Sequence, residues 1–202
     1  MRQKALELFP LSPQSEPFTF YPRFLGQAEA DHLFSHSQTL AWQQNEIKMF
    51  GNLLKVPRLE AIYGDEGCNY RYSNILLKPQ PWTAPLLEVR DRIESETGYR
   101  FRITIGNQYR SGSDHIGYHS DDSPELGERP AIASLSLGGT RRFQIRDRLT
   151  KETQSFDLQH GDLFVMHPGC QQTHVHRLAK TAKTVEERIN WTFRPHIGEV
   201  KV

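Results

Sequence analysis

The chain has 202 residues, 37% of them hydrophobic and 24% charged, with a formal net charge of +1. That length suits one domain burying its own core, and the hydrophobic fraction excludes a disordered chain, while the net charge by itself says little. The two cysteines, Cys68 and Cys170, form no paired pattern, which argues against a disulfide-stapled secreted scaffold.

Residues 1–22 are rich in Pro, Ser and Phe and read as an extended arm laid on the fold. Over residues 24–40 the spacing of Leu25, Ala28, Leu33 and Phe34 predicts an amphipathic helix. Residues 46–80 carry no clear period but several Gly and Pro, which predicts hairpins and a mobile lid. A second helix is predicted over 83–97. Thr83 can cap it, Pro85 sits in its first turn, Leu86, Val89 and Ile93 form its stripe, and Gly98 stops it.

After Tyr99 short alternating runs follow one another: Phe101, Ile103 and Ile105; AIASLSL at 131–137; RFQIR at 142–146; DLFVM at 162–166; and RINWTFR at 188–194. Turn signals separate them at 111–114, 137–140, 160–162 and 167–169. Such a series predicts an antiparallel sandwich or jelly roll. The expected fold is therefore α+β, with helices first and the β-sandwich second. No run of 18 apolar residues and no leader-like apolar stretch occurs, so a soluble intracellular protein, cytoplasmic or nuclear and without a membrane partner, is expected.

Within DHIGYHSDD (114–122), His119 and Asp121 are two apart, so an extended strand points both side chains to one face. One imidazole and one carboxylate are two legs of a two-His, one-carboxylate set, which leaves coordination positions open for iron(II) chemistry. The second His must come from a distant strand. His160 and His167 sit in turn sequences, and His196 lies beyond the last run. His174 and His176 in QTHVHRL share a face, so alternation does not choose between them.

In RINWTFR, Arg188, Asn190, Thr192 and Arg194 fall on one face, with Ile189, Trp191 and Phe193 on the other. Two arginines and an amide facing a barrel interior are costly unless an anion satisfies them, and guanidinium groups bind carboxylates in bidentate geometry. Two basic clusters stand out as well. Residues 141–151 hold five Lys/Arg against one Asp, and residues 177–194 hold five against two Glu. Both suit a phosphate-bearing partner.

The ordered set NQYRSGSDHIGYHSDD, IASLSLGGTRRFQIR, HGDLFVM and RINWTFR, over residues 107–194, resembles the AlkB family of iron(II)/2-oxoglutarate dioxygenases. VPRLEAIYGDEG and NYRYSN at 56–74 resemble the nucleotide-recognition lid of its duplex DNA-repair branch. The resemblance implies a double-stranded β-helix (jelly roll) with N-terminal helices packed against it. Its parts are the arm (1–22), helices and lid (23–100) and the oxygenase core (101–202), within one structural domain. It implies iron ligands His119, Asp121 and His176, the last placed by HRL and its distance to Arg188. It also implies 2-oxoglutarate contacts at Asn107, Tyr109, Arg188, Asn190, Thr192 and Arg194, with Arg194 near the metal and counted among the catalytic set.

On the substrate side the resemblance implies a wedge at Phe50-Gly51 that fills the stack left by a flipped base. It further implies aromatic walls at Tyr70 and Tyr72 and nucleotide contacts at Arg58 and Asp122. Ser123 stands where many relatives carry an acidic residue two after the metal Asp. The implied activity is oxidative demethylation of N-methylated bases such as 1-methyladenine and 3-methylcytosine, using iron(II), 2-oxoglutarate and oxygen and releasing formaldehyde. The implied partner is alkylated DNA or RNA, and the protein is expected to be a monomer. Two other classes are weighed against this one: a 2-oxoglutarate oxygenase acting on a protein or small molecule, and a non-catalytic nucleic-acid or metal-binding jelly roll.

Overall fold

The computed structural model describes residues 16–49, 52–72 and 75–198. In chain order its strands are β1 (Phe18–Tyr21), β2 (Glu46–Met49), β3 (Asn52–Lys55), β4 (Leu59–Gly64), β5 (Tyr70–Tyr72), β6 (Ile75–Leu77), β7 (Gln80–Pro81) and β8 (Ile103–Tyr109). They continue as β9 (Ile116–His119), β10 (Ile132–Gly138), β11 (Arg141–Asp147), β12 (Thr153–Leu158), β13 (Leu163–Met166), β14 (His174–Leu178) and β15 (Arg188–Arg194). The α-helices are α1 (Gln27–Gln38), α2 (Ala84–Thr97) and the single turn α3 (Cys170–Thr173).

Among the described residues, one sheet runs β1-β13-β10-β15-β8-β4-β7 and a second runs β12-β11-β14-β9. The pairs β2-β3 and β5-β6 form separate two-stranded antiparallel sheets within the segment where hairpins are predicted. Helices α1 and α2 cover the outer face of the large sheet. Ala30 and Leu33 of α1 and Leu86, Val89 and Ile93 of α2 pack there with Leu135, Leu163, Val165, Ile189, Trp191 and Phe193. A second apolar cluster lies between the sheets and holds Ile103, Ile105, Ile132, Phe143, Ile145, Leu158, Phe164 and Met166.

Alternation explains both layers. Ile189, Trp191 and Phe193 enter the helix-side cluster, which turns Arg188, Asn190, Thr192 and Arg194 toward the other sheet, as the sequence predicts. Trp191 needs room beneath it. A Cβ on Gly106, its register partner on β8, would lie 2.5 Å from the indole, and Trp42 closes on the same spot. The indole N–H donates to Ser37 Oγ at 2.9 Å, tying α1 to the sheet.

Several expectations are corrected in detail. Part of the predicted arm is strand β1, paired along β13 at the sheet edge. Helix α1 begins at Gln27, not residue 24, because Gly26 is extended and its N–H donates to Glu29 at 2.9 Å. Ala28 is therefore exposed, and Leu25, though buried, precedes the helix. Thr83 stands at the N-cap of α2, but its hydroxyl bonds His36 Nε2 at 2.9 Å rather than capping its own helix. Gly98 does stop α2, with φ +74°. His167 lies in the turn sequence after β13, as predicted, and is buried there, its ring nitrogens meeting the hydroxyls of Thr19 and Tyr99 at 2.7 and 3.0 Å.

Candidate active site

Between the sheets lies a cavity whose lining sets Arg58, Asn107, Arg188 and Arg194 among apolar Ile105, Phe143 and Met166. One wall is built by β8, β10 and β15 in register: Arg188 lies opposite Tyr109, and Asn190 lies between Asn107 and Ser136. Arg188 is 2% exposed, donates to Ser136 Oγ at 2.8 Å, and lies 5.5 Å over the Tyr109 ring. Its Nε has no hydrogen-bond partner within the described protein. Burial draws its pKa down to about 10, so the guanidinium stays charged at neutral pH. Asn190 donates to Ser134 Oγ and the Leu135 carbonyl, and Thr192 to the Ile105 carbonyl. The wall thus presents a fixed cation ringed by neutral hydrogen-bonding groups.

His119, Asp121 and His176 meet beside this wall, with one ligand-type atom from each lying within 4.8 Å of the others. His119 ends β9 and lies opposite His176 on β14, their rings 4.2 Å apart. Asp121 is not on the strand, contrary to the expectation of one continuous extended face, but in the loop that follows it. Gln171, buried on α3, accepts its backbone N–H at 2.8 Å and fixes the turn. His119 Nδ1 lies 2.9 Å from the Gly117 carbonyl. A carbonyl only accepts, so Nδ1 carries the proton and Nε2 turns a lone pair to the cluster.

Burial, then the nearby His119, drives the His176 pKa down to about 3, leaving a neutral imidazole. Burial pushes the Asp121 carboxyl up, but Arg194, His176 and His119 outweigh it and the net shift is downward. Arg194 Nη2 lies 3.0 Å from Asp121 Oδ1, while Oδ2 is buried without a hydrogen-bond partner. Two imidazole nitrogens and an ionised carboxylate with an idle oxygen suit a divalent metal.

His174 is excluded from this group by position, not by face. It lies one pleat along β14, opposite Asp147, with its ring against Phe18. Arg58, Tyr70, Asn107 and Tyr109 line the cavity as the resemblance implies. Arg58 is held by Glu60 at 2.5 Å and by Asn107 Oδ1 at 2.8 Å. Tyr70 shares a hydrogen bond of 3.0 Å with Ser123, and Arg194 lies 5.3 Å over its ring. Asp122 is not brought in; it is exposed outside the cavity and accepts a bond from Ser120. Phe50 and Gly51 fall outside the described residues, as does the Tyr72 side chain.

Glu60, Ser134, Ser136, Gln171 and Arg177 belong to the site or its support without being predicted from the sequence. Glu60 on β4 follows Arg58, just before that strand, by two, and both serines occupy the polar phase of AIASLSL, so alternation carries a signal for these three. Gln171 has none.

Residues 17–194 match the model of the 2OG-Fe(II) oxygenase superfamily. The chain is 36% identical over 186 residues to the mouse (Mus musculus) DNA oxidative demethylase ALKBH2, covering 86% of this chain and 78% of that one. It is 37% identical over 185 residues to human (Homo sapiens) alpha-ketoglutarate-dependent dioxygenase alkB homolog 3, covering 86% and 64% of the two chains. The solved structure of OsALKBH1 superposes with a TM-score of 0.61 at 16% identity, over 91% of this chain and all of that one, and shares its fold.

Proposed function

The chain belongs to the 2OG-Fe(II) oxygenase superfamily, and on that footing we propose that it repairs alkylated nucleic acid by oxidative demethylation of N-methylated bases. The observation that carries the reading is the meeting of His119, Asp121 and His176 beside a buried guanidinium wall. Relatives named DNA oxidative demethylases match along most of the chain, which favours a nucleic-acid substrate over a protein or a small metabolite.

Iron(II), 2-oxoglutarate and oxygen, bound together, supply the oxidising chemistry that hydroxylates an N-methyl group, which is then lost as formaldehyde. The protein's part is to hold and orient. His119, Asp121 and His176 are the residues that would take the metal. Arg194 occupies Asp121 Oδ1 and holds the carboxylate ionised, leaving Oδ2 to coordinate. Arg188 would pair the distal carboxylate of 2-oxoglutarate, because its buried charge needs an anion and its Nε is open. Asn107, Tyr109, Asn190 and Thr192 line the same wall and screen it from water.

For the base, Tyr70 offers an aromatic face, which suits a cationic methylated ring. Arg58, Tyr72 and Asp122, with Phe50-Gly51 as wedge, are the other proposed substrate contacts.

The test is formaldehyde release from oligonucleotides containing 1-methyladenine or 3-methylcytosine, with iron(II), ascorbate and 2-oxoglutarate. Product from at least one is expected. Slow 2-oxoglutarate turnover with no product from any DNA or RNA would overturn the nucleic-acid reading and leave the oxygenase standing.

A further inference from the structure

The outer face of the β12-β11-β14-β9 sheet, beside the cavity mouth, carries a group of cations that take no part in holding metal or co-substrate. Arg146 on β11, Arg148 just beyond it and Arg177 on β14 have no carboxylate partner among the described residues. Arg142, on the same face, is neutralised by Asp157 at 2.9 Å. Two of the three converge on one ring: the guanidinium carbons of Arg146 and Arg177 lie 3.9 and 4.4 Å from the Tyr118 centroid. Arg177 Nε also donates to Gln144 Oε1 at 2.8 Å, and Arg148 Nη2 to Ser120 Oγ at 2.9 Å.

These direct partners are all neutral groups, so they orient the guanidiniums without cancelling the charge of Arg146 and Arg177, while Ser120 links Arg148 to the Asp122 carboxylate. Tyr118 and Ser120 flank His119 in sequence, and Arg177 lines the cavity itself. Gathering like charges raises the free energy of the free protein, and a polyanion relieves it. A base that enters a pocket from a strand draws its sugar and flanking phosphates across the mouth.

We propose that Arg146, Arg148 and Arg177 form a seat for backbone phosphates of the strand whose base enters the cavity, with Tyr118 as the positioning residue that holds two of them. This rests on the nucleic-acid reading of the cavity. The seat reads phosphate and not sequence, so it serves lesion and normal strands alike. The aromatic face is what matters, not the phenol hydroxyl.

The test is the salt dependence of binding to a fluorescent single-stranded oligonucleotide bearing one 1-methyladenine, with DNA and RNA arms of the same sequence, using the full-length protein. The triple variant Arg146→Gln/Arg148→Gln/Arg177→Gln is expected to bind roughly tenfold more weakly at low salt. Its slope of log K against log salt should flatten by about 2, since each phosphate no longer neutralised removes about 0.7 from the slope. Tyr118→Ala should reproduce part of the weakening, and Tyr118→Phe should restore wild-type binding. An unchanged slope in the triple variant on both DNA and RNA overturns the seat, and Tyr118→Ala binding like wild type overturns the positioning role. A flattened slope alongside a wild type that demethylates nothing supports the seat and removes the demethylase reading instead. An unchanged thermal midpoint in the variants separates these outcomes from misfolding.

Discussion

Asp121 is buried at 5% exposure, where a carboxylate is disfavoured, yet it is held ionised chiefly by Arg194 at 3.0 Å. One of its oxygens is engaged and the other is idle, and a cation satisfies the idle one without leaving a buried charge uncompensated. Iron(II) added without oxygen is therefore expected to stabilise the protein. At a hundredfold excess over Kd the gain is about 2.7 kcal/mol, or roughly 5–10 °C in thermal midpoint for a chain of this size. Asp121→Ala and His176→Ala should each lose that shift relative to their own metal-free form, and His174→Ala should keep it. A shift retained in His176→Ala would remove that residue from the ligand set.

At the level of strands, β15 ties the site to the fold. Its apolar face is locked by Trp191 over Gly106, so its polar face cannot rotate away from the cavity. Gly106→Ala should cost about 1–3 kcal/mol by overpacking and raise KM for 2-oxoglutarate, read by denaturant unfolding and by succinate assay. A variant as stable as wild type would show that the indole yields. This face is legible in the sequence because β15 is covered on one side only by apolar residues and the period of two is unbroken. Strand β3 is not legible, since all four of its residues are exposed and carry no alternation. Strand β12 escapes for a similar reason: Phe156 and Leu158 face inward, and the rest of this edge strand is solvated. His176 cannot be told from His174 by period, because what separates them is which residue lies opposite His119 across β14 and β9. Gln171 acts through a partner, the Asp121 N–H, fixed by long-range packing, which local pattern does not encode.

Over the whole molecule, the cavity opens beside the apolar cluster between the sheets and shares Ile105, Phe143 and Met166 with it, while helices cover the outer face of the large sheet. The edge strand β1 is fastened to that body partly through His167, between Thr19 and Tyr99. Burial lowers the His167 pKa below its usual 6.5. Below that pH the unfolded chain takes up a proton that the folded one refuses, so stability is lost as pH falls. The thermal midpoint should drop as pH falls below about 6.5, with His167 contributing up to about 1.4 kcal/mol per pH unit. His167→Leu should flatten part of that slope, and an identical profile would assign the loss to other groups.

The central claim is that this metal site and this guanidinium wall serve one reaction on a methylated base. It is tested most directly by mass spectrometry of a 1-methyladenine oligonucleotide, with succinate and formaldehyde counted in the same tube. Restoration of adenine is expected only with iron(II), 2-oxoglutarate and oxygen all present, with one succinate and one formaldehyde for each lesion removed, and none of it in Asp121→Ala. Repair without 2-oxoglutarate, or succinate formed while every lesion persists, would contradict it.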